Sequence, residues 1–244
     1  MADILNNMIP VKRAGRQTVL FSNPPAIISS ATVVGPMEGK GPLGPYFDMV
    51  LKDDTWGEDS WEKAERKMFE HTVREAMDKV NLQSGGVDCL LGGDLLNQII
   101  SANFAARELK LPFLGLYGAC STMAESLLIG SMLIDGGYAG RVACIATSHF
   151  STAERQYRNP LEMGGQTTPT AQRTVTGAGC SIAANPTLEG DRLYGNVFVT
   201  AGTIGKVTDL GITDVNNMGA AMAPAAVDTL TSHLSDTGRG VMDY

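Results

Sequence analysis

The sequence predicts an α/β fold in which helices cover both faces of a parallel sheet. Three observations carry this. From Val87 onward the elements alternate strand, helix, strand, helix, strand. The strand-like runs are apolar on successive positions, as strands buried on both faces are. The 28 glycines are dispersed and fall at element junctions, where tight strand–helix turns need them.

The elements follow in order. Val19-Leu20-Phe21 and Ala26 to Val34 read as strands separated by Pro24-Pro25, and a Gly/Pro-rich loop, Gly35 to Pro45, comes next. A helix begins after Asp59, placed as its cap with Glu62 three residues on. Trp61, Ala64, Met68, Phe69, Val73, Ala76, Met77 and Val80 then recur at helical spacing. Val87 to Leu91 is a short strand ending at Gly92-Gly93-Asp94, and a helix covers Asn97 to Leu109. Phe113 to Tyr117 is the strand before Cys120, Ser121 to Asp135 the next helix, and Arg141 to Thr147 the next strand. Thr152 to Gln172 reads as a long polar loop, of a length that is usually functional or disordered. Thr174 to Ala184 and Asn196 to Thr203 read as strands, and Ala220 to Leu234 as a helix.

Composition excludes several classes. The chain has 244 residues and a net charge of −7, with no Lys/Arg-rich stretch, so no nucleic-acid partner is expected. Cys89, Cys120, Cys144 and Cys180 are far apart and form no CxxC pair, so no zinc site and no metal are expected. Three of them read as small buried hydrophobes of a reducing compartment. Met1 to Pro10 lacks the pattern of a signal peptide, and the apolar run Leu127 to Ile134 is too short to span a bilayer. A soluble chain is expected.

Ligands of open α/β sheets sit beyond the C-terminal ends of the strands. Asp94, Cys120, Ser148 and His149 fall at such ends and are expected to line one crevice. Cys120 stands where a helix N-terminus favours thiolate, so it reads as a nucleophile, a pocket-lining group or a packing residue. A nucleophile needs a base in reach. Of the three histidines, His71 reads as solvated, His233 as structural at a helix end, and His149 as the one near the crevice. Asp94 reads as a cap for the following helix, ahead of its alternative as a calcium ligand.

Gly118-Ala119-Cys120-Ser121, with its strand and helix, resembles the nucleophile segment of thiolase-like condensing enzymes. Ile134-Asp135-Gly136-Gly137-Tyr138-Ala139 and Gly177-Ala178-Gly179 resemble that family's turn after the cysteine helix and its glycine-rich strand. Three further stretches resemble a non-enzymatic branch, the stage V sporulation protein AD family: Gly92-Gly93-Asp94-Leu95-Leu96-Asn97-Gln98; Ser148-His149-Phe150-Ser151-Thr152-Ala153-Glu154; and Pro169-Thr170-Ala171-Gln172 with Thr174-Val175-Thr176-Gly177. The resemblance covers nearly the whole chain.

It implies a layered αβαβα fold whose second half is truncated here, with residues 1–195 forming the first half and 196–244 beginning the second. It implies binding of dipicolinic acid, alone or as its calcium chelate, by a homodimer pairing across Arg141 to Thr147. That dimer would work with stage V sporulation membrane proteins at the forespore and spore inner membrane, moving the ligand in and, on germination, out. No cofactor is implied. The ligand is a planar aromatic dianion, so its site needs donors for two carboxylates and a flat slot. Cys120, Ser121, Met123, His149, Phe150 and Arg173 are the expected lining, with Arg155, Arg158, Lys206 and Lys40 as other cationic candidates and Met163 as a further wall. The alternative is a condensing or acyl-transfer enzyme using Cys120.

Overall fold

In the computed structural model, residues 11–157, 173–189, 197–214 and 217–244 are described. The strands are β1 (Arg13–Ala14), β2 (Thr18–Leu20), β3 (Ala26–Val34), β4 (Met49–Val50), β5 (Cys89–Gly93), β6 (Phe113–Gly115), β7 (Arg141–Ser148), β8 (Gly177–Ala184) and β9 (Ala201–Thr203). The helices are α1 (Pro36–Gly39), α2 (Trp61–Asp78), α3 (Ile100–Leu109), α4 (Thr122–Asp135), α5 (Phe150–Tyr157), α6 (Pro186–Glu189) and α7 (Met218–Thr237). They form two compact units. One is Pro25–Phe198; in the other, residues 11–24 pack with residues 199–244.

The larger unit is built on a six-stranded sheet in the order β4-β3-β8-β7-β5-β6. β5 runs parallel to β6 and β7, and β3 parallel to β4, but β8 is antiparallel to both of its neighbours. The sheet is therefore mixed, where the sequence suggested an all-parallel one. Antiparallel neighbours need no crossover helix. β8 returns beside β7 in register from Ser148 opposite Gly177 to Arg141 opposite Ala184.

Each face has its own helices. α2 buries Ala64, Met68, Phe69, Thr72, Val73, Ala76 and Met77, one stripe at helical period, and packs with α3 over Leu90, Ala143, Ile145, Cys180 and Ile182. α4 covers the opposite face, against Cys89, Leu91, Val142, Cys144 and Ala183. It lies low on β7 because Gly130 has no side chain: a Cβ there would stand 3.0 Å from Cys144 Sγ and 3.2 Å from Val142 Cγ1. Strand alternation thus assigns Ala143, Ile145 and Thr147 to the α2 side, and Val142, Cys144 and Ala146 to the α4 side.

Local details correct several expectations. Ser60, not Asp59, caps α2 by accepting the Lys63 N–H at 3.3 Å, because Ser60 is the residue in extended conformation. Asp59 instead forms an ion pair with Lys63 one turn on. Residues 152–157 belong to α5, not to a loop; the His149 carbonyl accepts the Ala153 N–H at 3.0 Å and starts the helix. Residues 158–172, with Arg158 and Met163, lie outside the described residues. β7 is hydrogen-bonded on both sides, to β5 and β8, so Arg141 to Thr147 cannot pair with a second chain. The edge strands are β4 and β6. Among the described residues no helix is long and apolar enough to cross a membrane.

In the smaller unit β1, β2 and β9 form an antiparallel sheet. The Asp236 carboxylate near the end of α7 accepts the N–H groups of Arg16, Gln17 and Thr18 at 3.3, 3.0 and 3.1 Å. Three such donors hold its pKa below the usual carboxylate range. His233 does not serve its helix's carbonyls; its Nδ1 meets Thr203 Oγ1 at 2.6 Å and its Nε2 the Tyr244 hydroxyl.

Phe69 is the largest fully buried side chain of the α2 face. Phe69→Ala is expected to lower the unfolding free energy by about 3–5 kcal/mol, measured by urea denaturation.

Candidate functional site

The chain from β6 reaches Cys120 through a turn that glycine permits. A Cβ on Gly118 would fall 2.2 Å from Glu125 Oε2 and 2.8 Å from Ser121 Oγ. Ala119 follows in the left-handed region, at φ 48°. Residues Ala119–Ser121 form one 3-10 turn, and α4 starts at Thr122. Cys120 and Ser121 are exposed, and the Ser121 hydroxyl donates to the Gly118 carbonyl at 2.8 Å. No side chain caps α4; the 3-10 turn ahead of it takes the leading N–H groups, the Gly118 carbonyl accepting from Ser121 and the Ala119 carbonyl from Thr122, and the partial positive charge of the helix end lies at this turn. The Thr122 hydroxyl, on a residue 1% exposed, has no hydrogen-bond partner. Beside this mouth Met123 borders a depression of about 270 Å³. Its floor is made of small residues, Ala146, Gly179, Ser30, Thr32 and Ser181.

His149 is elsewhere. Its ring is completely buried on the α2 side, stacked between Trp61 at 6.4 Å and Phe150 at 5.2 Å. Nε2–H donates to the Asp54 carbonyl at 2.8 Å, and Nδ1 accepts the Ser151 N–H at 3.2 Å. Both nitrogens are engaged, and burial pushes the imidazole pKa down, so the ring is neutral. Arginines close the stack at both ends. Arg173 lies 3.5 Å over the Phe150 ring and pairs with Asp54 Oδ2 at 3.5 Å. Arg155 lies 5.5 Å over Trp61 and pairs with Glu62.

The six expected lining residues therefore fall into two groups. Cys120, Ser121 and Met123 gather at the α4 mouth; His149, Phe150 and Arg173 gather in the stack. The strand ends do not line one crevice, because α2 and α4 pack on opposite faces of the sheet. Asp94 is fully occupied as a cap: its carboxylate accepts the Leu96 and Ala102 N–H groups, each at 2.7 Å. Lys206 pairs with Asp228 in the smaller unit. His71 is half-buried against Trp56, ring centroids 5.3 Å apart, rather than solvated.

Glu65 was not legible in sequence, since its heptad neighbours mark only a buried stripe. It is wholly buried on α2, with hydroxyls around its carboxyl: Thr152 Oγ1 at 2.9 Å, and Ser101 Oγ and Thr147 Oγ1 at 3.4 Å. Desolvation, reinforced by the nearby Asp94, pushes its pKa up to about 8.

The mixed sheet with an antiparallel last strand and a cysteine at a helix mouth defines the thiolase-like class. Solved structures agree. A variant of OleA from Xanthomonas campestris superposes with a TM-score of 0.62, at 15% identity, over 91% of this chain and 76% of that one. The 3-oxoacyl-(acyl carrier protein) synthase III, FabH, of Xanthomonas oryzae gives 0.58, at 16% identity, over 91% and 76%. At such identities the likeness concerns the fold alone. The model of the stage V sporulation protein AD family matches residues 15–244. The stage V sporulation protein AD of Bacillus subtilis (strain 168) is 46% identical over 234 residues, 96% of this chain and 67% of that protein. The chain belongs to the stage V sporulation protein AD family.

Two measurements check the site's geometry. With Cys120 exposed and Cys89, Cys144 and Cys180 buried, a disulfide-exchange reagent is expected to titrate one thiol in the native chain and all four after denaturation. For Glu65, the folded state holds a proton that the unfolded state releases between its ordinary pKa of 4.5 and about 8. Stability therefore falls as pH rises through that window, by at most about 1.4 kcal/mol per pH unit, and is flat above it. Glu65→Gln is expected to remove that slope in denaturation series run at stepped pH.

Proposed function

We propose that this chain is a non-enzymatic, dipicolinate-binding member of its sporulation family, and that the ligand docks at the mouth of α4. One observation carries the reading: an uncapped helix N-terminus with a buried, unpartnered Thr122 hydroxyl opens beside a shallow depression floored by small residues. The partial positive charge of that helix end and the Thr122 hydroxyl suit one carboxylate. Met123 and the floor over Ala146 and Gly179 suit a flat ring. His149 supports a binding role over a catalytic one, because neither of its nitrogens is available to take the Cys120 proton.

Glu125 sharpens the choice of ligand form. Its carboxylate reaches back over Gly118 to this mouth. A dianion docking there meets like-charge repulsion from this carboxylate, which bound calcium offsets. The calcium chelate is thus the favoured form. The dimer of this reading pairs through the β6 edge, where Leu114 and Gly115 are exposed. Peripheral association with the forespore and spore inner membrane, alongside other stage V sporulation proteins, completes the reading.

Calorimetry tests it. The chain is expected to bind dipicolinate saturably, more tightly with calcium than without. Glu125→Gln is expected to bind the free dianion several-fold tighter and to lose most of the calcium effect. No saturable binding in either condition contradicts the reading. Incubation with acyl-CoA donors is expected to leave the intact mass unchanged; an acyl group gained on Cys120 would establish the condensing-enzyme alternative.

A further inference from the structure

The Glu65 carboxyl is a buried acid that joins four elements and has no part in the proposed ligand site. It stands on α2, and its hydroxyl neighbours come from the start of α3 (Ser101), the end of β7 (Thr147) and the first turn of α5 (Thr152). Thr152 has a second contact. Its Oγ1 is also 3.0 Å from the His149 carbonyl oxygen, the first acceptor of α5.

A hydroxyl has one proton to give and two lone pairs. With Glu65 protonated, its O–H donates to Thr152 Oγ1, and the Thr152 O–H donates to the His149 carbonyl. With Glu65 ionised, the carboxylate takes the Thr152 O–H and the His149 carbonyl loses it. One proton on Glu65 therefore decides whether Thr152 ties the start of α5 to itself or to α2. His149 and Phe150, at that start, are the middle of the stack running from Arg155 through Trp61 to Arg173.

We propose that Glu65, Thr152 and the His149 carbonyl form a proton-controlled latch that sets how the first turn of α5, and with it the aromatic–arginine stack, docks on α2.

The other titratable groups on the elements packed here do not compete for that role. Asp94, after β5, has its pKa raised by burial against the pull of the Ala102 and Leu96 N–H groups, and its carboxylate bonds those N–H groups rather than Thr152, so it reaches the latch only by pushing the Glu65 pKa up. Glu154, on α5, accepts the Thr174 N–H at 2.7 Å. His149 has its pKa lowered by burial and stays neutral where Glu65 titrates. Cys180, on β8, has its thiol pKa pushed far up by burial. Arg155 is paired with Glu62 on the outer side of α2. The Glu65 carboxyl is left to change charge near neutrality.

The test is fluorine NMR of the full chain labelled with fluorotryptophan, since Trp61 sits in the stack and the chain has only two tryptophans, Trp56 and Trp61. Between about pH 7 and about pH 9.5 the Trp61 resonance is expected to move with a midpoint near 8. Glu65→Gln is expected to abolish that shift, and Thr152→Val to abolish most of it. Thr152→Ser, which keeps the hydroxyl, is expected to retain it. Should Glu65→Gln fail to fold, the two Thr152 variants decide the matter. A Trp61 resonance that stays flat in the folded wild type, or a shift that persists in full in Thr152→Val, overturns the latch.

Discussion

Everything in the larger unit depends on β7 being buried on both faces. All eight of its residues pair with β8, Val142 to Ala146 pair with β5 on the other side, and the strand carries α2 on one face and α4 on the opposite one. An alternating strand sends neighbouring side chains to opposite sides. This one therefore fixes Ala146 under the α4 mouth and directs the chain after Thr147 toward the α2 side. The separation of Cys120 from His149 follows from that alternation. Two residues that look like a nucleophile and its base in sequence belong to different layers.

That separation gives each layer a different chemistry. On the α4 side an exposed thiol stands at a helix mouth beside a shallow depression lined by small residues. On the α2 side three buried polar groups are answered: the His149 ring, the Asp94 cap, the Glu65 carboxyl among its hydroxyls. Hydrogen-bonded networks of this kind rigidify a core. The arginines at the two ends of the stack are likewise held, each by an aromatic face and an acid.

Much of this architecture was legible in the sequence, and the failures have physical causes. The α2 stripe from Ala64 to Met77, the strand before Cys120 and the helix after it follow directly from periodicity and glycine placement. The cap slipped by one residue because Asp59 and Ser60 are both competent caps, and only backbone conformation distinguishes them. The direction of β8 was hidden, since an apolar run looks the same whether it enters a sheet parallel or antiparallel. The start of α5 was hidden because Ser, Thr and Glu read as loop until the His149 carbonyl is seen to accept the Ala153 N–H. Of the six lining candidates, Cys120, Ser121 and Met123 gather at the α4 mouth and His149, Phe150 and Arg173 in the stack, a division set by which face of the sheet each leaves and invisible in the sequence. Glu65 had no signal, because a lone acid in an amphipathic helix shows its burial only once β7 and α5 are packed against it.

His149 is not a base for Cys120, because its ring is locked into the core as a neutral group. Nitrogen NMR of the His149 side chain measures this directly. At pH 6.5, where a free imidazole is half protonated, the ring is predicted to be neutral with its proton on Nε2. A half-protonated ring, or a proton on Nδ1, would contradict the account.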